Sequence, residues 1–327
     1  MTTLLRALLH WNDDKEMTAT FSNGWLNFEL SVLRRLKFES IAFPFTGEPT
    51  LGVHLKRWQV RVAANDPMIW SFIKSTALLE NNNYTLSSDE LEAVVEDAYV
   101  PRDRLDNPSL LNWFNQTDAW WFDTVRFNAE RLDAPYKRAL ALTLGMMVGD
   151  YVLAFDDATR HLREPASLSR MFRKVAELLP FPYDNSLRSK ASNQDVRAFV
   201  TDRRHSDLMF LRLPPFGESQ TDRRSLSAWR EEWLQGGDDF WPVYEQGRSG
   251  KLGAPSQSKQ QYLGFLEDLL QTAAHIPGWA IALVENGFVS TEELVDTVGR
   301  VRKVDAIYSK DFSDLLGVRA AIVTAMA

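Results

Sequence analysis

The stretch Ser40-Ile41-Ala42-Phe43-Pro44-Phe45-Thr46-Gly47-Glu48-Pro49, continued by Leu51 to Trp58 and then by Val60-Arg61-Val62-Ala63-Ala64-Asn65-Asp66, decides the fold. Its first six residues are a short apolar run stopped by Thr-Gly-Glu-Pro, which reads as a buried strand entering a turn. Leu51, Val53 and Leu55 mark a helix over 51–58. Val60 to Asp66 reads as a second strand with an acid at its end. Strand, turn, helix and strand within roughly 30 residues make one βαβ unit, and that unit implies a parallel sheet.

On the amino-terminal side, Phe28, Leu30, Val32, Leu33 and Leu36 have mostly helical spacing and predict a helix over 27–38. On the other side, residues 68–180 read as mainly helical. Within them Trp121, Val125, Ala129 and Leu132 recur every three or four residues, and 138–151 is apolar on nearly every side, as a fully buried helix requires. The α/β signal resumes with Asp207 to Leu213, a buried strand broken by Pro214-Pro215. A helix over 262–274, a strand over 279–284, a helix over 291–301 and a last strand over 304–308 follow. Residues 217–258 are polar, with Gly236, Gly237, Gly247, Gly250 and Gly253, and read as a long loop or mobile insertion. The expected fold is α/β: a doubly wound, mostly parallel sheet with a helical insertion. It divides into a first part over 1–86, the insertion over 87–190, and a second part over 191–327.

The composition narrows the function. The chain has 327 residues, 45% of them apolar, and a net charge of −7, as ordinary globular proteins have. With no cysteine it has no disulfide framework, no thiolate metal site and no Cys nucleophile, which fits a reducing cytoplasm. No apolar run reaches the roughly 18 residues of a membrane span, so no membrane partner is expected. Net acidity gives no general help to nucleic-acid binding. Eleven Trp and 19 Phe point to large aromatic clusters. His10, His54, His161, His205 and His275 make no i, i+3 or i, i+4 pair, and no metal is expected.

Pro44-Phe45-Thr46-Gly47, then Gly52-Val53-His54-Leu55-Lys56-Arg57, then Val62-Ala63-Ala64-Asn65-Asp66 resemble adenine-specific DNA methyltransferases of the Dam-like type. Further pieces match in order over about residues 21–310. Asn23 to Asn27 stands where that family has a Gly-rich, Lys-containing cofactor segment. Asn193 to Phe199 stands where an acid meets the cofactor adenine, and Asp207 to Phe216 where the catalytic strand ends in D-P-P-Y. The resemblance implies a methyltransferase-type, Rossmann-like sheet and S-adenosylmethionine as cofactor, held by Phe45, Gly47, Asp66 and Asp195. It places catalysis at Leu213, Pro214, Pro215 and Phe216. DNA is the implied partner, contacted by Arg223 and Arg224 just after the Pro-Pro turn. No protein partner is indicated.

The departures from the family pattern fall on the chemistry. The family needs an acidic or amide side chain before Pro-Pro; with a prolyl carbonyl, it accepts hydrogen bonds from the amino group of a flipped adenine. Leu213 accepts none, and Phe216 lacks the tyrosine hydroxyl. Glu48 and Pro49 replace the second half of the glycine turn, adding a negative charge and removing a backbone donor. The expectation is a homologue whose methyl transfer is weakened or lost, a pseudoenzyme. Two alternatives remain: an active methyltransferase using another acceptor, Glu218 and Asp207 being nearest in sequence, or a partner-binding protein that keeps only the fold. Trp113, Phe114, Trp120, Trp121 and Phe122 have the ring surface to stack on bases, but their helical spacing reads first as core. Arg34-Arg35 with Lys37, and Arg203-Arg204, read first as surface charge.

Overall fold

The computed structural model describes residues 24–100, 103–156, 158–216, 225, 227–256, 258–285, 288–316 and 318–327. The expected βαβ unit is β1 (Ser40–Phe43), α2 (Thr50–Arg57) and β2 (Arg61–Asn65), preceded by a helix, α1, over 24–33. The remaining strands are β3 (Lys190–Ser192), β4 (Leu208–Arg212), β5 (Gly278–Glu285), β6 (Ala306–Phe312) and β7 (Val318–Met326). They form one sheet in the order β3-β2-β1-β4-β5-β7-β6. The first five are mutually parallel, and β7 runs antiparallel to both its neighbours. The chain is therefore an α/β protein with a mostly parallel sheet.

Both faces of the sheet are covered, so its central strands are apolar except at their ends. Along β4, Leu208 and Phe210 pack with Ile41, Phe43 and Val62 on one face, against α1 and α2. Met209 and Leu211 pack with Trp279 and Ile281 on the other face. That face is closed by α8 (Val196–Thr201), α11 (Lys259–Thr272) and α12 (Thr291–Val301). The expected last strand over 304–308 is longer and is not last. β7 follows it and fills the place between β5 and β6.

Between β2 and β3 the chain builds a helical layer: α3 (Ile69–Ser75), α4 (Ser88–Val95), α5 (Gln116–Glu130), α6 (Pro135–Leu153) and α7 (Leu168–Leu178). Lys56 of α2 is buried and donates to the carbonyls of Leu79 (2.7 Å) and Asn81 (2.9 Å) and to Asn82 Oδ1, tying the start of this layer to the sheet. Burial depresses its ammonium pKa to about 8. Trp121 and Phe122 are fully buried in the layer's core, beside Phe114, so these rings are core and not free stacking surfaces.

The stretch read as a long polar loop holds two helices, α9 (Ala228–Gln235) and α10 (Trp241–Arg248). Its apolar residues are few, but Trp229 and Trp233 lie one helical turn apart and share a face. Both enter the core of the helical layer and pack over Gly149 and Gly145 of α6. These glycines have no conformational role; they are notches. A Cβ at Gly149 would overlap the buried Trp229 ring. Although alanine favours a helix, Gly149→Ala should destabilise the protein by roughly 1–3 kcal/mol through overpacking, measured by denaturant unfolding. An unchanged or raised midpoint would contradict this packing.

Candidate functional site

In sheets of this kind, ligands bind at the carboxyl ends of the parallel strands, where the chain leaves β1 and its neighbours. Here that edge is stitched by Asn65, at the end of β2. Its amide donates to the carbonyls of Pro44 and Gln194 (both 3.2 Å), and its Oδ1 accepts from the Gln194 N–H and the Ser192 hydroxyl (both 3.0 Å). One buried side chain thus sets the spacing of the chain ends after β1, β2 and β3. Asn193 adds a bond to the Asp66 carbonyl (2.7 Å). Gly47, Asp66 and Asp195 are brought to this one edge, as the sequence pattern expects.

The polar groups of Gly47 and Asp66 are turned inward, while Asp195 is exposed. Gly47 takes a left-handed conformation, φ +56°, which a side chain would strain. Its N–H donates to Asp66 Oδ2 (2.8 Å), while Asp66 Oδ1 accepts from the Met68 N–H (2.9 Å). Asp66 is 7% exposed. Burial pushes its carboxyl up to about 6, against the lowering effect of the N–H groups of Gly47 and Met68. Asp195 caps α8 by accepting from the N–H groups of Arg197 and Ala198 (3.1 Å each), and its other oxygen is paired with Lys251 (2.7 Å). Burial raises the Asp195 carboxyl, but Lys251 and the capped N–H groups outweigh it and hold the pKa below the usual range. A cavity of about 260 Å³ lies beside Asp195, walled by Pro67, Asn193, Tyr244, Arg248 and Lys251.

Glu48, the residue that breaks the glycine pattern, is the centre of an ion-pair lattice. Its Oε1 meets Lys74 of α3 (2.7 Å) and Arg230 of α9 (2.8 Å). Arg230 also grips Asp150 of α6 through two bonds, of 2.8 and 2.7 Å, and lies over the Trp70 ring. Surrounding protein raises the Glu48 carboxyl, but Lys74 and Arg230 prevail and hold it at about 2. Beside Arg230, Glu231 accepts from the N–H groups of Ile69 and Trp70 (3.0 Å each), satisfying the first turn of α3.

The Pro-Pro segment continues β4. Leu213 donates its N–H to Ala282 of β5 (3.0 Å). Arg212, just before it, is clamped on the fully buried Glu29 of α1 (2.7 and 2.8 Å). The Pro214 carbonyl accepts from the buried Tyr262 hydroxyl (2.7 Å). Burial raises the Tyr262 phenol well above its usual value. Phe216 stacks face to face on Phe288, ring centres 3.6 Å apart. Between this segment and the Gly47 turn runs the chain after α10. Leu252 is buried there, and a Cβ at Gly253 (φ +88°) would lie 3.3 Å from the Phe45 ring and 3.7 Å from Pro214. Phe45 therefore packs against the protein's own chain.

Other expected residues fall elsewhere. Arg223, Arg224 and Glu218 lie outside the described residues. Asp207 is not a substitute acceptor beside Leu213. It stands at the opposite, amino end of β4, where its carboxylate holds the N–H groups of Glu39 and Ser40 and the Ser40 hydroxyl. Arg34, Arg35 and Arg203 lie over the rings of Trp58, Tyr308 and Phe199. Among the described residues, no group of three or more His, Asp or Glu is arranged to hold a metal ion. No described helix is long and apolar enough to cross a membrane. Sequence reading missed Lys74, Arg230, Lys251 and Tyr262 as site residues. Their partners lie 26 to 182 residues away, and no local pattern marks them.

Compared with protein-family models the chain matches none, and a comparison with curated proteins likewise yields no match.

The Asp66 environment carries a pH signature. A carboxyl at about 6 in the folded state and 3.8 when free stabilises the fold fully below 3.8 and loses that contribution as pH rises through 6. Relative to Asp66→Asn, the wild type should therefore lose about 2 kcal/mol between pH 4 and 7. Paired denaturant titrations across that window check it. A pH-independent difference would place the Asp66 carboxyl at its ordinary value.

Proposed function

We propose that this chain has the S-adenosylmethionine-dependent methyltransferase fold without methyl transfer. On this reading it is a non-catalytic relative of the Dam-like adenine-specific DNA methyltransferases that acts by binding. The observation that carries the proposal is the hydrogen bond from Tyr262 to the Pro214 carbonyl (2.7 Å), next to Leu213. Adenine methylation of this type draws on two acceptors at that place, one side chain and one prolyl carbonyl. Leu213 offers hydrocarbon, and the carbonyl already gives one of its two lone pairs to Tyr262. An amino group brought there would lose about 1–3 kcal/mol for each unmet bond. It would also lose the alignment that in-line attack needs. Phe216, the ring that would stack on the base, is face to face with Phe288.

Ancestry is supported by the order of the motifs and by the sheet. Six parallel strands in the order 3-2-1-4-5-6 describe a dinucleotide-binding sheet. A reversed strand slipped between the fifth and sixth, as β7 is here, favours the methyltransferase type.

The residues present do not fit S-adenosylmethionine. Each Asp66 oxygen already accepts from a backbone N–H in a buried position, and Asp195 is paired with Lys251. The Glu48 carboxylate is held at the turn that would have to receive the cofactor's own carboxylate. Leu252 and Gly253 run between Phe45 and Pro214. We therefore derive no step through that cofactor. DNA enters this reading through ancestry alone. The expected outcome of an assay with labelled S-adenosylmethionine and adenine-containing duplex DNA is no incorporation above a protein-free control. Robust turnover by the wild-type chain would sink the proposal.

A further inference from the structure

A cavity of about 400 Å³ opens in the helical layer, and none of its walls belongs to the cleft at the sheet edge. Its floor is hydrocarbon: Leu86, Leu140, Leu144 and Leu179. Leu140 and Leu144 are buried residues of α6, so the hollow reaches the layer's interior. Its size and apolar lining are those of a small-molecule site.

The mouth has a definite electrostatic sign. Helix α7 ends there, with no basic residue in its last turn. The chain continues as Leu179-Pro180-Phe181-Pro182, and prolines have no N–H with which to cap the final carbonyls. The Leu179 N–H donates back to the Val175 and Ala176 carbonyls (3.1 and 3.3 Å), but no basic side chain in the last turn offsets the negative end of the α7 dipole. Glu177, in that same last turn, is exposed and pairs with no cation among the described residues. Arg173 on the same wall is already taken by Glu92. Two aromatic rings flank the opening. Tyr84 stacks on Tyr136 (5.3 Å), and Phe181 is 86% exposed between two prolines that stiffen its backbone. Ring faces attract cations and not anions.

We infer that this cavity binds a small organic cation, with an aliphatic or aromatic body in the leucine-lined hollow and an ammonium group at Glu177 and the end of α7. The inference stands independently of the methyltransferase ancestry.

An NMR titration of the full chain, following leucine methyl signals, tests it with phenylbutylammonium and its oppositely charged counterpart phenylbutyrate. The amine should bind and shift the signals of Leu140 and Leu144, and phenylbutyrate should bind at least about tenfold more weakly. Glu177→Lys, a surface change, should leave the melting temperature alone and weaken the amine at least about fivefold. Ala176→Phe, which adds bulk to the wall, should abolish binding. Equal affinity for amine and carboxylate, no amine binding at millimolar concentration, or undiminished binding in Glu177→Lys would each overturn the inference. Should Ala176→Phe fail to fold, Glu177→Lys decides.

Discussion

Arg230 lies between two carboxylates that come from different parts of the fold: Glu48 on the turn after β1, and Asp150 near the end of α6. Much of the molecule depends on this arrangement. The helix that carries Arg230 uses each neighbouring side chain differently. Trp229 and Trp233 fill the glycine notches of α6, Glu231 satisfies the first turn of α3, and Arg230 reaches across to the sheet. Removing one partner of a buried ion pair commonly costs about 3–5 kcal/mol, because the other charge is stranded. Glu48 is half-exposed, so water relieves part of that cost on its side. Asp150, with two bonds to Arg230 and one from Trp229, is the firmer anchor.

The same lattice shapes the cleft. Charged groups that in an open site would face a ligand are here consumed within the protein. Glu48 is paired with two cations, Asp195 with Lys251 and Arg212 with Glu29, and Asp66 accepts from the N–H groups of Gly47 and Met68. A buried polar group that already has its partner gains little from a ligand, which must first break the existing bond. The carboxyl edge of the sheet has the position of a binding cleft, but its charged groups already have partners within the protein. At Pro214, the hydrocarbon of Leu213 and the Tyr262 hydroxyl on the prolyl carbonyl both leave less for a ligand's donor to bond.

How much of this was legible in the sequence depended on burial and distance. The strands β1, β2, β4 and β5 are apolar runs closed by turn residues, and a sheet buried on both faces demands such runs. The helix α12 was readable to its ends because Ser290 and Glu293 form a capping box. β3 was not readable as a strand, since Lys190-Ala191-Ser192 is short and polar and is held by distant partners, β2 and the Glu80 carboxylate. β7 was passed over because an Ala-rich apolar run is ambiguous between helix and strand. The Gly47 and Asp66 contact follows from the βαβ unit, whose two strand ends must meet. Residues 217–258 were misread because two tryptophans decide their structure, and their partners, Gly145 and Gly149, lie some eighty residues earlier. The tie from Arg230 to Glu48 spans 182 residues, and nothing local announces it.

The central claim is that the charged groups at the sheet edge are already engaged by the protein's own partners. Calorimetric titration of the full chain with S-adenosylmethionine, and with S-adenosylhomocysteine as a second ligand, tests it most directly. The account predicts no binding heat for either up to millimolar ligand. Micromolar binding of either one would contradict it, because Gly47, Asp66 and Asp195 would then have to release their present partners at little cost.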